Sequence, residues 1–185
     1  MEQAGTAIAL LSPCMLLLFT LLLAAAPPEA KAEKEDLGRQ KVSVTALAAT
    51  GASITPGQPR THVMRSPAML LFDVGFFHPE HQWLEFSPAL MVEFERGQSF
   101  GLGFRLRAFT KLGPLRVYAL GGVEGFVAPR KLLGARLGAG LAVPVHRHVS
   151  IAAEFGPTVY FVGNDIPNNT VLTKLDGALG LRVNF

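Results

Sequence analysis

Five histidines, a single cysteine and two glycine doublets are the residues of this chain whose types and spacing could do chemistry. His146-x-His148 and His78-x-x-His81 have spacings at which two imidazoles can share a metal ion, but a zinc site needs three or four ligands. With no further ligand group beside either pair, both read as solvated polar turns, and no metal is expected. Serine-hydrolase chemistry needs a serine, a base and an orienting acid in one place. His62, His78, His81, His146 and His148 all fall in loops, turns or strand ends, so no catalytic residue is expected. Gly101-x-Gly103 and Gly138-x-Gly140 lack the strand-to-helix setting of a dinucleotide site, and no cofactor is expected. Cys14, alone, can form no internal disulfide.

The more telling chemistry is in charged residues that recur at alternate positions. Lys41, Asp73, Glu85, Glu93, Glu95, Arg105, Arg107, Arg116, Glu124, Arg136, Glu154, Lys174, Asp176 and Arg182 are seven bases and seven acids. Held together in a confined interior they would have to pair, because an unpaired buried charge is costly. What holds them is a set of strands. Successive strand side chains point to opposite faces, and the chain alternates in this way about eight times.

The first strand, about 41–49, sets Val42, Val44, Ala46 and Ala48 on one side. The second, about 68–77, sets Leu70, Phe72, Val74 and Phe76 against Asp73 and Gly75. The third, 83–95, sets Leu84, Phe86, Pro88, Leu90, Val92 and Phe94 against Glu85, Ser87, Ala89, Met91 and Glu93. The fourth, 99–109, sets Phe100, Leu102, Phe104 and Leu106 against Gly101, Gly103, Arg105 and Arg107. The fifth (115–126), sixth (133–145) and seventh (149–162) continue the pattern, and the eighth ends the chain at Phe185. Every charge within a strand falls on the parity opposite the bulky apolar residues, and most glycines share the charged side. A small barrel interior takes side chains that just fill it. The pattern therefore predicts polar and small residues inside and an apolar outside, as in membrane barrels. A soluble lipocalin-like barrel would need the reverse. Pro88 and Pro157 lie mid-strand on the apolar face, where a closed ladder predicts a bulge or break.

Hydrophobic residues make up 49% of the 185 and charged residues 17%, against a usual charged share of about 25%. Nineteen glycines and thirteen phenylalanines suit tight strands with an aromatic exterior. The net charge of +3 comes without a basic stripe, so no nucleic-acid partner is expected. Residues 7–26 are largely apolar and are followed by Ala30-Lys31-Ala32, the pattern of a signal peptide over 1–32 with cleavage after Ala32. Glu2 and the lack of a base before the apolar run depart from that pattern. The other reading is an uncleaved helical anchor. Residues 33–40 form a polar lead-in, and 41–185 the barrel domain. The connections after strands one and seven, about Thr50 to Pro67 and Gly163 to Thr170, read as the longest. Those at the opposite end read as short turns, an asymmetry of outer-membrane barrels.

Strand number, alternation, glycine-rich strands and the closing Leu181-Arg182-Val183-Asn184-Phe185 together resemble the small eight-stranded outer-membrane barrels of Gram-negative bacteria. These are typified by the transmembrane domain of outer-membrane protein A. The resemblance covers about 41–185 and implies an all-β, antiparallel up-and-down transmembrane barrel behind an N-terminal signal helix. It implies outer-membrane lipid as surroundings, and a monomer. It also implies an assembly signal at Leu181, Val183 and Phe185, read by the barrel-assembly machinery. The Asn168-Asn169-Thr170 sequon would be idle in such a protein. The function expected is structural or surface interaction, without enzymatic activity and with an ion-paired, plugged lumen. Within it, Glu85 or Glu93 should pair with Arg105 or Arg107 across the third and fourth strands. The alternatives are a narrow channel, a lipid-modifying enzyme and a soluble lipocalin-like binder.

Overall fold

A computed structural model describes residues 41–55, 61–95, 98–164, 166 and 170–185. The signal peptide, the lead-in, Arg96-Gly97 and the first two residues of the sequon lie outside these residues. Eight strands follow one another: β1 (Val42–Thr55), β2 (His62–Phe77), β3 (Leu84–Glu93), β4 (Ser99–Leu112), β5 (Leu115–Ala128), β6 (Leu132–Pro144), β7 (Val149–Gly163) and β8 (Leu172–Asn184). Each pairs antiparallel with its sequence neighbours, and β1 also pairs with β8 from Ser43↔Asn184 to Ile54↔Thr173, closing the barrel. Closure removes the free edges that a flat sheet would expose. The seam ends on backbone bonds from Lys41 N–H to Phe185 C=O (2.9 Å) and from Phe185 N–H to Val42 C=O (2.9 Å).

The alternation governs which way each side chain faces. Phe72, Phe104, Leu137, Phe155 and Leu179 are among the large apolar residues exposed on the outer wall, whereas Asp73, Arg105, Arg107, Arg136 and Glu154 are buried inside. The lipocalin arrangement, with the apolar parity inside, is therefore not the one this chain adopts.

Both prolines coincide with interrupted ladders. Pro88 pairs with Phe104 on β4, while the β2–β3 ladder skips from Asp73↔Ala89 to Phe76↔Phe86. Pro157 pairs with Leu175 on β8, while the β6–β7 ladder skips from Arg136↔Thr158 to Ala139↔Phe155. Proline has no N–H to donate, so each strand loses its ladder on one side only.

The expected long loop at Thr50 to Pro67 is corrected by the structure. β1 runs on to Thr55 and β2 starts at His62, paired through Gly51↔Ser66 to Thr55↔His62. A register shift follows Ala49↔Met69, and this bulge reverses the side-chain parity of β2. Alternation breaks there, and the break together with Gly51, Ser53, Ser66 and Pro67 mimics a loop. The connections opposite the chain ends are then 56–61, 94–98, 129–131 and 164–171, against 78–83, 113–114 and 145–148 at the terminal end. Little of the expected long-and-short asymmetry remains. The tightest turn, Gly113-Pro114, has Gly113 at φ 61°. A two-residue hairpin needs this left-handed conformation at its first central position, and glycine adopts it without strain.

Candidate functional site

The barrel interior brings eleven of the expected charged residues into burial: Asp73, Glu85, Glu93, Glu124, Glu154 and Asp176, with Arg105, Arg107, Arg136, Lys174 and Arg182. Inward parity on β2 to β8 puts them there, and barrel curvature brings side chains from distant strands together.

Arg107 on β4 is the hub. Its planar guanidinium has five N–H donors in a fixed fork, and three carboxylates surround it. Nη1 and Nη2 donate to the two oxygens of Asp73 at 3.0 and 2.5 Å. Nη1 also donates to Glu85 Oε1 at 2.9 Å, and Nε and Nη2 donate to Glu154 Oε1 at 3.1 and 2.9 Å. Glu85 faces Arg107 directly in the β3–β4 register. Glu85 is also bound by Arg182 of β8 and accepts a hydrogen bond from Ser43 Oγ at 3.1 Å. Arg182 in turn lies over the Phe109 ring, 4.8 Å from its centroid.

Towards the opposite end the network changes partners. Arg105 Nη1 donates to Glu154 Oε2 at 3.0 Å, and its Nη2 lies 3.4 Å from Glu124 Oε2. Glu124 accepts from Thr158 Oγ1 at 2.9 Å and from the Tyr160 hydroxyl at 3.1 Å. Glu93, read as a cross-hairpin partner for an arginine, instead meets Lys174 of β8 at 2.5 Å across the interior. Lys174 also lies over the rings of Phe126 and Tyr160. Asp176 approaches Arg136 only to 3.9 Å.

Three expected members lie elsewhere. Lys41 is exposed at the chain start. Glu95 follows the end of β3 and pairs with exposed Arg65 of β2 at 2.9 Å, outside the buried set. Arg116 is half-buried at the terminal end, beside Phe77, Gln82, Trp83, Phe109 and Lys111 in a cavity of about 60 Å³. Position explains all three: each sits at or past a strand end, where parity no longer forces a side chain into the interior.

Sequence reasoning did not assign the neutral partners Tyr118, Tyr160, Thr158, Ser43 and Ser87 to the network. Their inward parity was the available signal. Tyr118 donates to Glu154 Oε1 at 3.2 Å, and it fits because Gly140 opposite has no side chain. A Cβ at Gly140 would come within 2.3 Å of the ring. Part of the wall is apolar, with Leu47, Leu71, Met69 and Met91 buried on β1 to β3 and packed with Phe126 and Tyr160.

The histidines take structural positions. His78 and His81 stack at 5.0 Å, and His78 Nδ1 accepts from the backbone N–H groups of Glu80 and His81. His148 Nδ1 lies 3.2 Å from Asn184 C=O, tying the β6–β7 turn to β8. Among the described residues no cluster of three metal-ligating side chains occurs. Leu181 and Phe185 of the expected assembly signal are exposed on the outer wall, with Val183 half-buried.

A closed antiparallel barrel of eight strands, charged within and apolar without, is the fold of the small eight-stranded outer-membrane barrels. Among solved structures, Neisserial surface protein A superposes with a TM-score of 0.56 at 14% identity, over 78% of this chain and 97% of that one. The N-terminal β-barrel domain of Pseudomonas aeruginosa OprF superposes with a TM-score of 0.51 at 13% identity, over 80% of this chain and 100% of that one. At these identities the likeness is one of fold. No protein-family model matches the sequence, and no curated protein matches it.

Proposed function

We propose that the protein is a monomeric outer-membrane β-barrel with a structural or surface-interaction role and no enzymatic activity. Its lumen is closed by ion-paired side chains. The carrying observation is the inverted polarity of the wall. Arg107 and Glu85 are fully buried, while Leu102 and Leu179 are each 61% exposed. In water such a wall would expose its apolar face and desolvate its charges. Hydrocarbon outside removes the first penalty, and the ion pairs within offset the second. The closed ladder also satisfies strand backbone groups internally, which a lipid environment demands. Strands of 10 to 16 residues are long enough to cross a bilayer when tilted. Residues 1–32 would direct export, and Leu181, Val183 and Phe185 would present the assembly signal.

A closed lumen makes a specific electrical expectation. With Arg107 and Arg105 each bridging carboxylates of different strands, a lumen closed in this way would leave no continuous water path of the kind that wider barrels enclose. The purified barrel reconstituted in planar bilayers should therefore show no discrete conductance steps. Regular steps that disappear in Arg107→Leu or shift in size would overturn the closed lumen and make the protein a narrow channel.

A further inference from the structure

The turn between β2 and β3, His78-Pro79-Glu80-His81-Gln82-Trp83, is held by an imidazole acting as an acceptor. His78 Nδ1 accepts from the backbone N–H of Glu80 at 3.2 Å and from that of His81 at 3.1 Å. A backbone N–H can only donate, so these bonds require a bare Nδ1 with the ring proton on Nε2. Two backbone bonds close the turn, from His78 N–H to Leu84 C=O at 2.9 Å and from Leu84 N–H to His81 C=O at 2.8 Å. The His78 ring stacks on that of His81 at 5.0 Å, and the His81 ring lies 6.0 Å from that of Trp83. Gln82 and Trp83, which the turn carries, form part of the wall of the 60 Å³ cavity at the terminal end.

Imidazole is the side chain whose charge changes between about pH 5 and 8. A proton on Nδ1 of His78 turns the acceptor into a donor facing two donors, so both bonds are lost together. A second imidazolium at His81 adds like-charge repulsion within the stack. The other charged groups around the turn supply no substitute acceptor at its centre. Lys41 lies ahead of β1, its carbonyl bound to Phe77 N–H, and Lys111 of β4 and Arg116 of β5 line the cavity with Gln82 and Trp83. Glu80, on the turn itself, can attract the charged ring only once that ring has left the two N–H groups. We infer that His78 is a proton-operated latch. Neutral, it ties the β2–β3 turn; protonated, it releases the turn and with it the part of the cavity wall that Gln82 and Trp83 form.

The test is NMR of the full barrel folded in detergent micelles, following amide exchange at Glu80 and His81 from pH 8 to pH 5, with Trp83 emission recorded on the same samples. Protection of both amides, corrected for the intrinsic pH dependence of exchange, should fall about fivefold, the worth of one ordinary hydrogen bond. Trp83, the only tryptophan of the chain, should change its emission over the same range while the ladder amides of β2 and β3 stay protected. In His78→Asn the side-chain oxygen can accept from the N–H two residues on and does not titrate. That variant should keep its protection at pH 5 and lose the Trp83 transition, whereas His81→Gln should retain both changes. Unchanged protection at pH 5 in the unaltered barrel, or the same loss in His78→Asn, would overturn the inference. So would a general loss of protection along β2 and β3. A Trp83 transition lost in His81→Gln but kept in His78→Asn would reduce the signal to contact between two rings and overturn it as well.

Discussion

Replacing Arg107 by leucine is expected to lower the unfolding free energy of the barrel by about 3–5 kcal/mol, the range for removing one partner of a buried ion pair. The substitution leaves Asp73, Glu85 and Glu154 facing one another without their shared cation. Leucine fills some of the volume but supplies none of the five donors. Arg107→Lys should be milder, because it keeps the charge and loses the fork that reaches Asp73 and Glu154 together. Urea titrations of protein folded in vesicles, followed by tryptophan emission from Trp83, measure both changes. Unchanged or increased stability in Arg107→Leu would show that the buried pairs contribute nothing net. Replacing the carboxylates along with the arginine is a different experiment, since an apolar substitute for a whole buried network can be neutral.

The second large effect concerns the outer wall. Phe104 is 48% exposed, paired between Pro88 and Val123 near the middle of β4. In a bilayer, Phe104→Arg should cost about 2–4 kcal/mol, the depth-dependent penalty for an arginine facing lipid near the midplane. Val63 is 66% exposed on the hairpin extension beyond the β2–β3 ladder, and Val63→Arg there should cost about 1 kcal/mol or less. A barrel surrounded by water makes the opposite forecast, because exposed substitutions usually change stability by no more than about 0.5 kcal/mol. Urea titration of both variants in vesicles separates the two environments. Equal small effects at Phe104 and Val63 would place the outer wall in water.

Most of the fold was legible in the sequence because a strand's side-chain period is two, and one misplaced charge would have betrayed a wrong face. Glu85, Arg107, Glu154 and Arg182 were assigned to the interior by parity alone. The sequence left Glu85 or Glu93 to pair with Arg105 or Arg107, and only the register of the hairpin sets Glu85 directly opposite Arg107. Two kinds of feature were not legible. Where alternation itself fails, as at the bulge after Ala49, parity inverts and strand looks like loop. Where partners meet across the lumen, as Lys174 meets Glu93 and Arg107 meets Glu154, the pairing depends on the stagger of the closed barrel. No local spacing encodes that stagger.

The most direct test of the central claim is the gel mobility of the detergent-solubilised barrel, compared boiled and unboiled, together with its cellular fraction. A closed barrel inserted in the outer membrane should migrate faster unboiled than boiled and be recovered with outer membranes. A single unshifted band from the soluble fraction would contradict the account, leaving the inverted wall of Phe104, Leu137 and Leu179 exposed to water without a membrane to cover it.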